Sequence, residues 1–229
     1  MTAEQAENAA LPTRGRILGP RGESSWPAAL MVVAAILLQL LLPPRLVPGA
    51  RGLLPVIQAV LLIPVFLGTR YRHHKEPPRT HFLTILIIGL VNIANIYSLV
   101  LLVYYLVRGG KAEGHELILA SIDIWFTNVI IFGLWFWELD RGGPGARTAP
   151  DPDPPEFLFP QMQMKDAGGQ DWRPVLFDYV YVSLTNASAF SPTDTMPLSI
   201  QAKALMGLQA MISLLTVILV AARAVNILS

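Results

Sequence analysis

The sequence predicts an all-α integral membrane protein of five transmembrane helices plus one short re-entrant helix. Composition is the first reason: of 229 residues, 53% are hydrophobic and 14% charged, against about 25% charged in an ordinary soluble domain. The second is a series of apolar stretches that approach or exceed the roughly 17 to 25 residues needed to cross a hydrocarbon core. The third lies near the C-terminus. There an aromatic run from Asp178 to Thr185 meets a polar turn broken by Pro192, and a long apolar segment follows to the end. Any span must be helical, because backbone groups in lipid find partners only within the chain.

Four regions follow from the pattern. Residues 1–25 mix Glu, Gly, Pro and Arg without periodicity and are predicted as a disordered tail. Residues 26–139 form a four-helix membrane region. Residues 140–174 form a Pro-rich acidic loop, and residues 175–229 hold the re-entrant helix, its turn and the final transmembrane helix. Arg14, Arg16 and Arg21 ahead of the apolar run give the outline of a signal peptide. Pro43, Pro44 and Arg45 then follow without a small-residue cleavage site, so the first helix is read as uncleaved.

The first helix is expected over Pro27 to Leu42, with Gln39 its one strongly polar residue. The second, Leu53 to Leu67, begins with Pro55 in its first turn, where proline is tolerated. Pro64 is expected to kink or end it. The third, Phe82 to Val107, would be about 39 Å long at 1.5 Å per residue and must tilt or project. The fourth, Leu117 to Leu139, stops before Gly142, Gly143 and Pro144. Prolines 144, 150, 152, 154, 155 and 160 mark the next stretch as extended, with Phe157-Leu158-Phe159 placed to rest on the membrane surface. A short helix from Val175 to Ala187, a turn, and a last helix from Ile200 to Leu228 complete the chain.

The segment 70–79 carries four Lys or Arg against one Glu, which places it, with the arginine-bearing tail, on the cytoplasmic face. The long loop then lies inside as well. Counted from Glu138 it has seven acids against four bases and looks external, but acids weigh little in that rule.

Polar residues inside the apolar helices are the functional candidates. Asp123 is costly in lipid unless paired, and it shares a helix face with Thr127, Ile130, Leu134 and Glu138; Asn128 lies beside them. It either lines a polar path or cation site, or bonds to a neighbouring helix near the headgroups. Asn92 and Asn95 lie one turn apart, where asparagines usually bond across to another helix. Trp125, Trp135 and Trp137 are expected toward the interfaces. In the last helix Gln209, Ser213, Thr216 and Arg223 form one largely polar stripe, broken by Val220, with Asn226 farther on the same side. Such a stripe either lines a wet groove or packs polar against polar.

Several chemistries are excluded. With no cysteine there is no disulfide, thiolate metal site or thiol nucleophile. His73, His74 and His81 have only Glu76 nearby and do not make a metal site. Neither a catalytic motif nor a cofactor fingerprint is present, so no enzyme, cofactor or metal is expected. A net charge of +1 without a basic stripe gives no reason to expect nucleic acid. The partner implied by composition is the lipid bilayer.

The stretch Asp178-Tyr-Val-Tyr-Val-Ser-Leu-Thr185, the turn through Pro192 and Asp194, and the final helix ending Ala221-Ala-Arg-Ala-Val-Asn-Ile resemble a group of bacterial predicted inner-membrane proteins of unknown function. Trp125-Phe-Thr-Asn128 and Phe136 to Pro144 resemble an actinobacterial branch of that group. The same C-terminal stretch distantly resembles the pore helix and inner helix of tetrameric cation channels. On that resemblance Asp178, Tyr179, Thr185, Asn186, Ser188, Phe190, Pro192 and Asp194 are pore-loop-like. Residues 187–191 contain no glycine, whereas a potassium filter needs glycines so that successive carbonyls can face the ion.

The first functional expectation is a multi-span protein of the bacterial inner (cytoplasmic) membrane whose polar faces mainly organise a helical bundle. The alternative is an ion channel-like or small-solute transport protein with a degenerate pore loop. Any conduction is then expected along the final helix, with Arg223 paired to Asp123. Assembly into a homo-oligomer is implied only by the channel resemblance.

Overall fold

The computed structural model describes residues 26–47, 53–70, 78–107, 114–148, 152–164, 172–189 and 194–228. The expected tail, most of the basic segment, Phe190 and Pro192 lie outside them, as do the side chains of Arg223 and Asn226. Six α-helices form the described bundle: α1 (Trp26–Leu41), α2 (Leu53–Arg70), α3 (Pro78–Val107), α4 (Gly114–Leu139), α5 (Leu176–Ala189) and α6 (Ile200–Leu228).

The expectation of five crossings and a re-entrant helix is overturned. Among the described residues three stretches are long and apolar enough to span a membrane: His81–Val107, Glu116–Gly142 and Ile200–Ala222. The 16 residues of α1 rise about 24 Å at 1.5 Å each, short of a hydrocarbon core of about 30 Å. Although α2 continues through Pro64 to Arg70, it offers no such stretch among its described residues. The 14 residues of α5 rise only about 21 Å. Its buried residues, Leu176, Tyr179, Val182, Ser183, Asn186 and Ala187, recur at helical spacing and face α4 and α6. A helix whose polar side is spent on its neighbours is a layer of the bundle, not a loop entering lipid.

The centre is α4, which packs against α1, α3, α5 and α6. Gly133 lets α5 come close, since a Cβ there would stand 3.1 Å from the Val180 backbone. The outward residues of α1, α3 and α6 are large and apolar, among them Leu37, Ile93, Val100, Met211 and Ile218. An apolar exterior over a core that holds polar groups suits lipid. Gln39 is buried and donates to the Val91 carbonyl at 3.4 Å. At the opposite end from His81, Arg45 pairs with Glu116 and ties the turn after α1 to the start of α4.

The segment after α4 folds back instead of extending. Arg141, Gly142 and Gly143 all have positive φ. A Cβ on Gly143 would stand 3.2 Å from both the His81 ring and the Glu138 carbonyl, so glycine fits by conformation and by space. Then β1 (Phe157–Leu158) pairs antiparallel with β2 (Met196–Pro197). Phe157 and Phe159, expected on the membrane surface, are buried. The Phe157 ring lies 5.1 Å from that of Phe136, and the Phe159 ring 5.4 Å from that of Tyr179. Trp137, near the end of α4, is also buried.

This fold-back is held by Asp140. Its carboxylate accepts from Tyr179 Oη at 2.6 Å and from the Glu156 and Phe157 amides at 2.7 and 3.3 Å. Arg147 donates to the carbonyls of Trp137 and Asp140 at 2.7 and 3.0 Å, and its guanidinium lies over the Trp137 and Tyr179 rings.

Candidate functional site

Two polar zones stand out. The first is internal and brings together Asn128, Asn186, Gln209 and Ser213 of the residues picked from sequence. Gln209 of α6 donates through Nε2 to the Ser183 carbonyl and hydroxyl of α5, at 2.9 and 2.6 Å. Asn186 donates to Gln209 Oε1 at 2.8 Å and to the Met206 carbonyl at 3.0 Å. The Ser183 hydroxyl donates onward to the Val129 carbonyl of α4 at 2.7 Å. One turn farther along, Trp125 Nε1 donates to Ser213 Oγ at 2.7 Å, and Ser213 donates to the Ala187 carbonyl at 2.5 Å. Asn128 donates to the Gln209 carbonyl at 3.4 Å. Gln209 and Ser213 are both 0% exposed. Gln209 and Ser213 of the stripe are therefore turned into helix contacts, which stitch α6 to α5 and α4. Thr216, also buried, donates to its own Ile212 carbonyl at 2.8 Å.

The pore-loop-like residues do not gather into one site. Asp178 accepts from the Val175 amide at 2.7 Å and caps the start of α5. Burial raises the Asp178 pKa, and the bond from Val175 opposes that shift. Thr185 and Ser188 donate to carbonyls of their own helix. Tyr179 reaches Asp140, and Asn186 belongs to the stitched zone. Asp194 is exposed in the turn before β2.

The candidates on α3 and α4 are also buried. Asn95 donates to the Ile124 carbonyl at 3.3 Å, which holds α3 to α4. Asn95 Oδ1, Asn92 Oδ1 and Asp123 Oδ2 have no hydrogen-bond partner among the described residues. Thr127 lies in the core. The expected pair between Asp123 and Arg223 falls outside the described side chains.

The second zone is not legible in the sequence as a site. Where α3 begins, α4 ends and α6 begins, a cavity of about 670 Å³ opens under the folded-back segment. Its polar lining includes His81, Trp135, Glu138, Asp153, Glu156 and Gln201. His81 Nδ1 and Glu138 Oε1 are 2.9 Å apart. The Glu138 side chain is 2% exposed, and its Oε2 has no partner among the described residues. The same holds for Trp135 Nε1 and Glu156 Oε2. In the sequence His81 only borders the basic segment, and Glu138 is only one member of a helix face. Asp153 and Glu156 give no signal, because a proline-rich stretch does not announce that it will return over the helix ends. Among the described residues no set of three or more His, Asp or Glu is arranged to hold a metal ion.

Comparison of the chain with family models, with curated proteins and with solved structures finds no match. The likenesses of residues 176–228 therefore rest on those residues alone.

Proposed function

We propose that this chain is a multi-pass protein of the bacterial inner membrane whose buried polar side chains knit α4, α5 and α6 into a closed bundle. The observation that carries the reading is Gln209, whose amide is engaged on both sides by Ser183 and Asn186. A side chain lining an aqueous route keeps donors and acceptors free for water or solute. Here Gln209 and Ser213, the start of the predicted stripe, are used between helices, and such bonds contribute roughly 1 kcal/mol each in membrane bundles. Residues 187–191 contain no glycine, which supports the same reading.

Purified protein in liposomes tests it. The expected result is no flux of potassium, sodium or chloride above that of empty vesicles, for the parent and for Thr216→Trp alike. Selective flux in the parent that is lost when residues 187–191 are altered would overturn the reading and restore a pore.

A second reading, ion or small-solute transport, draws on Asp123, Asn92 and Asn95. Their buried oxygens are unpartnered among the described residues, and a carboxylate at membrane depth is a default functional candidate. Flux that disappears in Asp123→Asn while the protein stays folded would favour it. Assembly of several copies is tied to this reading and is not required by the first.

A further inference from the structure

The cavity at the shared end of α3, α4 and α6 has a composition that selects its ligand. Glu138, Asp153 and Glu156 bring three carboxyl groups, against His81 as the one basic side chain in its lining. His81 is already committed to one oxygen of Glu138. That leaves Glu138 Oε2 and Glu156 Oε2 as buried acceptors with no described partner, and Trp135 Nε1 as a buried donor. Leaving such atoms unmatched is expensive, more so for charged groups. A ligand that donates hydrogen bonds and carries positive charge removes that cost for the two carboxylate oxygens.

We propose that this cavity binds the protonated primary amine of a small organic ligand. An ammonium group has three donors and no acceptor, which matches the two unpartnered carboxylate oxygens of Glu138 and Glu156. A bare metal ion fits worse, because no three ligating side chains converge among the described residues. Ile85, Leu139 and Leu198 supply an apolar wall for the carbon skeleton, and the volume lies in the range that small-molecule sites occupy. The acids come from two separate elements, α4 and the fold-back before β1, so the site exists only because Asp140 anchors that fold-back. Its place at the ends of three candidate spans puts it at the level of lipid headgroups, so the amine comes either from solution or from an aminophospholipid.

The full-length protein in phosphatidylcholine nanodiscs, titrated calorimetrically with n-butylammonium, n-butanol and tetramethylammonium, tests the proposal. Saturable binding of n-butylammonium is expected. Butanol, which lacks the charge, and tetramethylammonium, which lacks the donors, each bind about tenfold or more weakly. Glu138→Gln and Glu156→Gln each reduce butylammonium affinity by about 10- to 100-fold, with circular dichroism confirming that helix content is retained. Should Glu138→Gln fail to fold, Glu156→Gln decides, since that residue lies outside the helices. Repeating the titration in phosphatidylethanolamine nanodiscs separates the sources. Competition by the lipid assigns the headgroup, and unchanged affinity assigns a free amine. Equal binding of butanol and butylammonium, no binding of the amine by the parent, or full affinity in a folded Glu156→Gln variant overturns the proposal.

Discussion

Tyr179 Oη donates to Asp140 Oδ2 across 2.6 Å, and both residues are 0% exposed. This bond joins the first turn of α5 to the end of α4. It also fixes the carboxylate that receives the Glu156 and Phe157 amides, so one short contact sets both the position of α5 and the roof of the cavity.

Replacing Tyr179 with Phe removes one donor and leaves two backbone bonds to Asp140. A hydrogen bond to a charged group contributes about 1.5–3 kcal/mol, and losing it lowers stability by that order. Asp140→Ala removes the acceptor of all three bonds at once and lowers stability more. Thermal unfolding in detergent should rank parent, Tyr179→Phe and Asp140→Ala in that order. Equal midpoints for all three contradict the anchoring role.

The stitched zone predicts energetic coupling between α5 and α6. In a double-mutant cycle, Gln209→Leu and Asn186→Leu should couple by about 0.6 kcal/mol, the average for interhelical bonds in a membrane bundle, and by about 1.7 at most. Chemical unfolding in mixed micelles gives the number. Strict additivity would place Gln209 and Asn186 outside any shared network.

At Gly143, substitution by alanine meets two obstacles, a φ of 97° and contact with the His81 ring. Such strain costs on the order of 1–3 kcal/mol. Gly143→Ala should lower the unfolding midpoint and displace His81 from Glu138, visible as a change in the His81 ring resonances by NMR. At Gly207 an added Cβ would meet nothing within 4 Å. That position should accept alanine with a small gain from helix propensity, about 1 kcal/mol at most.

Asp178 gives a pH dependence whose sign is fixed. Burial raises its pKa in the folded state, so the folded protein holds the proton to higher pH than the unfolded chain does. The stability it contributes is complete below the ordinary carboxyl range and is lost as pH rises through the raised value. Asp178→Asn keeps an oxygen for the Val175 amide and abolishes this slope. Unfolding midpoints measured across the acidic range should diverge between parent and variant, and parallel curves would refute the assignment.

Much of the helical layout is legible in the sequence. The expected helices at 82–107, 117–139 and 200–228 lie within α3, α4 and α6, and the short helix placed at 175–187 is α5 to within two residues. Apolar runs bounded by Gly, Pro and charge are local signals, and local signals survive in one dimension. The number of crossings is not legible in the same way, because hydrophobicity alone does not say which runs reach the length of a bilayer. The face of the final helix is legible as polar; its partner is not. Ser183 and Asn186 hold no sequence relation to Gln209 beyond lying earlier in the chain.

The sequence by itself determined that the chain is apolar and helical, where its long spans lie, and that Gln209, Ser213 and Thr216 share a face, because period and composition are properties of neighbouring residues. Only the tertiary structure decided what those residues face. It turned α5 inward as a packed layer, joined Gln209 and Ser213 to α5 and α4, and folded the proline-rich segment over His81, Trp135 and Glu138. The physical reason is that a hydrogen bond or a cavity belongs to residues far apart in the chain. Asp140, which accepts from residues 156, 157 and 179 at once, chooses those partners only when the whole bundle has assembled.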